Sequence, residues 1–267
     1  MRRPALLLLV LLGGCDTYRF LSGTIQEDSR RPVQALKQYE TFLAARPKDP
    51  RACEVRLRAA ELYRRTFGRC EEARAHYEAA ARDFPRQKAC VDRAKASLML
   101  CPDFFPTEDG RTWVYVDSAS KGRAMRLEWE ARSSTATAGS ISSALYAGNK
   151  RIQAKTERFE KADWAVWRVD KEEREAILRY PYAEAQAWSA TRGKSRIEYL
   201  VVSSSIAVAS VAGRFTGCLK IRERDLSFKS SWKYDYYCPG VGRVKTTIGG
   251  PGFENPNTEL SQFGKID

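Results

Sequence analysis

The chain has 267 residues and a formal charge of +13, with 43% hydrophobic and 11% aromatic residues. This composition excludes a disordered or collagen-like chain and leaves room for two ordinary domains. The basic residues are spread through both halves, with no concentrated tract, so a nucleic-acid partner is not expected.

The first element is residues 1–14. Arg2 and Arg3 precede an apolar run from Ala5 to Leu12, and Leu12-Gly13-Gly14-Cys15 follows. A basic start, a short apolar run and small residues before a cut form a secretory signal. The run is too short to span about 30 Å of hydrocarbon. Its ending resembles the lipobox of bacterial lipoproteins. The resemblance implies cleavage after Gly14 and lipidation of the Cys15 sulfur, which would anchor the chain to a membrane of the cell envelope, facing the periplasm. Asp16 resembles an inner-membrane retention signal whose rule varies among lineages, so inner and outer membrane both stay open.

Residues 15–31 are polar and mixed and read as a tether. A helical module is expected over 32–101. Pro32 suits a first turn, and Ala35, Leu36, Tyr39, Phe42 and Leu43 share one helical face. The pattern Ala35-x3-Tyr39-x2-Phe42-x4-Pro47 returns as Ala73-x3-Tyr77-x2-Ala80-x4-Pro85. Further helices are expected over 52–67, closed by Gly68, and over 86–100. This recurrence resembles tetratricopeptide repeats, whose period is about 34 residues. With the lipobox before it, the module also looks like lipoproteins of the outer-membrane assembly type (BamD-like), although those carry a longer array. The resemblance implies a protein partner in the envelope bound through the helical repeats.

From Pro102 the pattern changes to β-branched and aromatic alternation. Strands are expected over 112–117, 125–130, 164–169, 197–202 and 206–211. Residues 131–143 read as a strand or a loop, 172–179 as a helical turn or two, and 251–267 as a tail. Phe105-Pro106 precedes Trp113 by the same spacing as Tyr180-Pro181 precedes Trp188, an echo that two similar sheet halves would produce. The expected fold class is α+β: tetratricopeptide-like helical hairpins, then a mainly antiparallel β-sheet domain over 102–250. Phe105-Pro106-x3-Gly110-x2-Trp113, with Ala212-Gly213-x-Phe215-x2-Cys218 and Pro239-Gly240-Val241-Gly242, looks like a β-rich domain of uncharacterised envelope lipoproteins. The resemblance brings no activity.

Cys15 aside, Cys53, Cys70, Cys90, Cys101, Cys218 and Cys238 make an even set, which in an exported chain reads as disulfides. Several connectivities remain open for the first four. The repeat resemblance implies parallel first helices and therefore Cys53–Cys90 and Cys70–Cys101. Cys218 and Cys238 lie on strands that reverse around 225–229, which places them opposite one another.

No catalytic, cofactor or metal site is expected. His76 is the single histidine and lacks partners at ligand spacing. Gly240-x-Gly242-Arg243 lacks the rest of a phosphate loop. Glu71-Glu72 suits a helix start, and Glu172-Glu173 point apart. Trp113, Trp129, Trp164, Trp167, Trp188 and Trp232 either pack the core or line an apolar cleft. The expected function is a non-enzymatic envelope lipoprotein acting as an interaction or scaffold module. The alternative is a carrier or sensor that holds a hydrophobic lipid or glycolipid in the β-rich domain.

Overall fold

The computed structural model describes residues 20–132, 135–171, 173–228 and 230–265. The chain divides into two units, Met1–Cys101 and Pro102–Asp267.

The first unit is helical. Residues 20–28 form α1, followed by α2 (Pro32–Ala45) and α3 (Ala52–Glu61), which runs on as a π-helical turn over Leu62–Thr66; α4 (Cys70–Asp83) and α5 (Lys88–Leu98) complete it. Ala35, Tyr39 and Phe42 on α2, Ala59 and Ala60 on α3, and Ala73, Tyr77 and Ala80 on α4 are fully buried. Alanine at these positions lets neighbouring helices approach closely. Each buried tyrosine sends its hydroxyl to a carboxylate on another helix: Tyr39 to Glu27 at 2.7 Å and Tyr77 to Glu61 at 2.9 Å. Cys53 is joined to Cys90 and Cys70 to Cys101, with Cα separations of 6.4 and 5.1 Å.

Residues 20–28 correct the reading of a tether. Their inner face carries Phe20, 6.4 Å from the Phe42 ring, and Glu27, which accepts from Tyr39. Between them, a Cβ at Gly23 would lie 2.4 Å from the Tyr39 ring, so only glycine allows this approach. The polar look of the segment hid three spaced anchors that act only against α2. Among the described residues, no helix is long and apolar enough to cross a membrane.

The second unit is a 12-stranded antiparallel sheet. Its strands are β1 (Arg111–Asp117), β2 (Met125–Arg132), β3 (Ala138–Ala147), β4 (Lys150–Ala162), β5 (Ala165–Asp170), β6 (Glu173–Arg179), β7 (Ala187–Arg192), β8 (Ser195–Ser210), β9 (Gly213–Asp225), β10 (Trp232–Cys238), β11 (Gly242–Gly250) and β12 (Phe253–Lys265). The order β6-β5-β4-β3-β2-β1-β12-β11-β10-β9-β8-β7 is two meanders, β1–β6 and β7–β12, joined where β12 pairs with β1. Each aromatic-proline step, Phe105-Pro106 and Tyr180-Pro181, stands before the first strand of one meander.

Three expectations change here. Residues 173–179 are a strand, not helical turns, because β5 lies alongside and supplies backbone partners that an isolated helical turn lacks. Residues 197–202 and 206–210 belong to one strand, β8, whose register slips against β9 between Val201 and Val208, and Val211 lies in the turn that follows. The supposed tail is β12, paired on both sides by β1 and β11.

The sheet curls until its edges β6 and β7 meet, forming a near-barrel. Trp113, Tyr115, Ala131, Val244 and Leu260 belong to one buried core cluster, in which the Trp113 indole donates to the Val241 carbonyl at 2.6 Å. Cys218 of β9 and Cys238 of β10 are joined, with a Cα separation of 4.2 Å.

Candidate functional site

Strand alternation sends every second side chain to the concave face. On β9 that set runs Leu219, Ile221 and Glu223, so a carboxylate follows two apolar residues into the interior. The same happens on several strands, and the incoming charges meet. Glu157 of β4 lies 3.4 Å from Arg168 of β5, and Arg168 Nε donates to Glu175 of β6 at 3.0 Å. Glu175 also accepts from Arg192 of β7 at 3.1 Å. Arg192 continues to Glu223 at 2.8 Å, Glu223 to Lys233 of β10 at 2.9 Å, and Lys233 to Asp235 at 2.8 Å. Arg243 of β11, 3.9 Å from Asp235, ends the chain of alternating charge. It reaches over the rings of Tyr115 and Trp129 at 4.9 and 4.2 Å, contacts with β1 and β2 that only a strongly curved face permits.

Glu175 is the centre of this network. Its side chain is 6% exposed, and it accepts from Arg168, Arg192 and the Tyr199 hydroxyl, the last at 2.5 Å. Among the described residues, β6 and β7 share no backbone ladder. The junction is made instead by these ion pairs and by the Trp188 indole, which donates to the Ala176 carbonyl at 2.7 Å. A cavity of about 540 Å³ opens here, lined by Glu157, Arg168, Asp170, Glu173, Glu175 and Arg192.

The charges are held in their ionised forms. Burial alone would raise the Glu223 carboxyl, but Lys233 and Arg192 outweigh it and hold it down to about 2. Glu175 is also lowered: burial opposes, and hydrogen bonds from Arg192 and Tyr199 with the charge of Arg168 prevail. Burial raises the Tyr199 phenol, and the neighbouring Glu223 and Glu175 raise it further. Such groups hold fixed charge and exchange no proton near neutrality. Because the folded-state value of Glu223 lies below its ordinary 4.5, its stabilisation is complete above that value and is lost as the pH falls towards about 2. Urea midpoints of the β unit are therefore expected to hold from neutrality to about pH 5 and to decline below it.

The tryptophans are largely engaged in packing. Trp113 and Trp188 are buried, the Trp167 indole donates to the Ala162 carbonyl at 2.8 Å under the guanidinium of Arg174, and Trp232 lies under Arg222. The gap among Phe105, Pro106, Trp113, Trp129 and Ile141 holds about 10 Å³, the limit for one water. A larger trough of about 790 Å³ lies along the convex face of β1–β4, lined by Thr112, Glu128, Ser142, Ala144, Tyr146 and Arg151 among others. It exists because β3 carries small residues between long neighbours.

Cys15 lies outside the described residues. His76 is pinned between Glu40, 3.0 Å from Nε2, and the stacked ring of Tyr63. The Gly240-x-Gly242 pair forms a turn with both glycines at positive φ, and Arg243 points inward. Glu157, Arg168, Glu175, Arg192, Glu223, Lys233 and Asp235 were missed in the sequence. Their readable signal was charge on the apolar parity of a strand, as in Leu219-x-Ile221-x-Glu223.

Searches with the sequence find no matching protein-family model and no matching curated protein. Among solved structures, the chain is similar to a protein described as exported, with a YmcC-like fold, from Bacteroides fragilis, at 13% identity and a TM-score of 0.45 over 61% of this chain and 99% of that one. A protein described as a lipoprotein, from Parabacteroides distasonis, matches at 16% identity and a TM-score of 0.40 over 60% of this chain and 98% of that one. LprF from Mycobacterium bovis follows at 9% identity and a TM-score of 0.15, over 59% and 85%.

Proposed function

We propose that the chain is a non-enzymatic lipoprotein of the bacterial cell envelope, anchored through Cys15 and facing the periplasm, whose tetratricopeptide-like helical unit binds an envelope protein. The observation that carries this reading is the build of that unit: short helices packed through alanines, pinned by tyrosine–glutamate pairs and locked by two disulfides. A surface fixed in advance loses little entropy on binding, which favours a docking module. Pulldown from detergent-solubilised envelopes tests it. Recovery of one protein by the wild type, and its loss when the disulfides are reduced, is expected; no specific partner under either condition would overturn it.

The anchor has its own test. Metabolic labelling with an alkyne fatty acid is expected to mark the wild type and not Cys15→Ala, and the variant should leave the membrane fraction, since several acyl chains give stable attachment where one is marginal. Equal labelling of both would sink the anchor.

A carrier or sensor role in the β unit is the second reading, favoured by the trough on β1–β4. Its lining mixes hydroxyls, small residues, charges and Tyr146, which suits the headgroup of a glycolipid better than an acyl chain. Lipid extraction of the purified protein decides between the readings.

A further inference from the structure

The register of the sheet places six hairpin turns at one end of the near-barrel: those that join β1 to β2, β3 to β4, β5 to β6, β7 to β8, β9 to β10 and β11 to β12. These turns carry an unusual surface. Met125, Ile152, Phe228 and Phe253 stand in or beside them and are 42, 51, 63 and 48% exposed. Lys121, Lys150, Arg151, Lys171 and Lys194 are exposed in the same set of turns, and none holds an ion pair among the described residues. The tips also touch. A Cβ on Gly250 would meet the Phe253 ring at 2.3 Å and the Ser230 carbonyl at 2.8 Å, so the fifth and sixth turns form one platform.

We propose that this end of the β unit docks on the surface of an anionic lipid bilayer. Two features select that occupant. Four lysines and Arg151, without ion pairs among the described residues, match the negative potential of anionic headgroups, where each basic residue contributes to attraction. Large apolar side chains at the tips of rigid hairpins match the headgroup–acyl boundary, into which amphipathic surfaces bury their apolar face. A soluble polyanion would satisfy the first feature and leave the second in water. The β3–β4 hairpin adds reach: β4 pairs with β5 only over Arg158–Ala162, so Lys150 to Glu157 project beyond β5 with Ile152 near the tip. The docking does not depend on the acyl anchor, because the contact lies in the sheet unit itself.

The test uses the full chain in vesicles of phosphatidylcholine with roughly 30% phosphatidylglycerol. A photoreactive benzoylphenylalanine replaces Phe228 in one variant and Val211 in another. Val211 is 57% exposed in the β8–β9 turn at the opposite end of the sheet, so it is an equally accessible apolar control. Phospholipid adducts are expected several-fold more often at 228 than at 211. They should fall several-fold with Lys150→Glu and Arg151→Glu together, and in about 1 M salt, where charges are screened within about 3 Å. Equal yields at the two positions, no lipid adduct at 228, or an adduct at 228 to protein alone would overturn the proposal. Both pairs of substitutions are on the surface, and intact disulfides by mass spectrometry confirm that each variant has folded.

Discussion

Glu175→Ala is expected to lower the stability of the β unit by about 3–5 kcal/mol, the cost of breaking a buried ion pair from one side. The carboxylate serves two guanidiniums and a buried hydroxyl at a junction with no backbone ladder beneath it. Its removal leaves Arg168 with Glu157 and Arg192 with Glu223, while the Tyr199 hydroxyl loses its acceptor. The loss should be local first. Amides of β6 and β7 are expected to exchange faster before the rest of the sheet does, and the urea midpoint should fall. Glu175→Gln keeps the volume and an acceptor for Tyr199, so a smaller loss is expected. An unchanged midpoint with unchanged exchange would show that the Trp188–Ala176 and Gly193–Glu173 hydrogen bonds close the edges without Glu175.

The second large effect concerns the helical unit. Cys53–Cys90 and Cys70–Cys101 close chain segments of 37 and 31 residues. The loop-entropy model assigns each bridge about 4 kcal/mol. Together they rival the whole stability of a unit this size, which at roughly 0.05–0.15 kcal/mol per residue is only several kcal/mol. Reduction is therefore expected to unfold α2 to α5 at 37 °C, read as lost helical circular dichroism, while the sheet signal persists. Retention of the helical signal after complete reduction would assign the stability to the alanine packing and tyrosine pins instead.

How far the sequence revealed the fold can be followed residue by residue. Ala35, Tyr39, Phe42, Ala73, Tyr77 and Ala80 showed the helices because their spacing is local and their burial follows from it. The strand holding Trp113 and Tyr115 was legible for the same reason. Residues 173–179 and 253–265 were not, because their own composition is charged or polar, and 253–265 also pairs with β1 at the far end of the unit's chain. Gly23 failed differently: its value lies in the missing side chain, which only the Tyr39 ring on α2 makes necessary. The interior charges escaped because a glutamate on a strand normally faces water. Glu223 is tolerated inside only because Arg192 and Lys233 arrive from two other strands.

The pairing of the last strand with the first has a consequence for biogenesis. Ser261 donates to the carbonyl of Val114, a residue 147 positions earlier. Synthesis from the N-terminus delivers β1 first of the twelve strands and β12 last. Throughout that interval β1 keeps one edge bare, an open template for mispairing with other chains. Arrival of β12 then supplies the strand that joins both meanders at once. Joining of the sheet thus waits on β12, and a chain cut short before residue 253 is left with two unjoined halves and exposed edges, a substrate for chaperones and proteases.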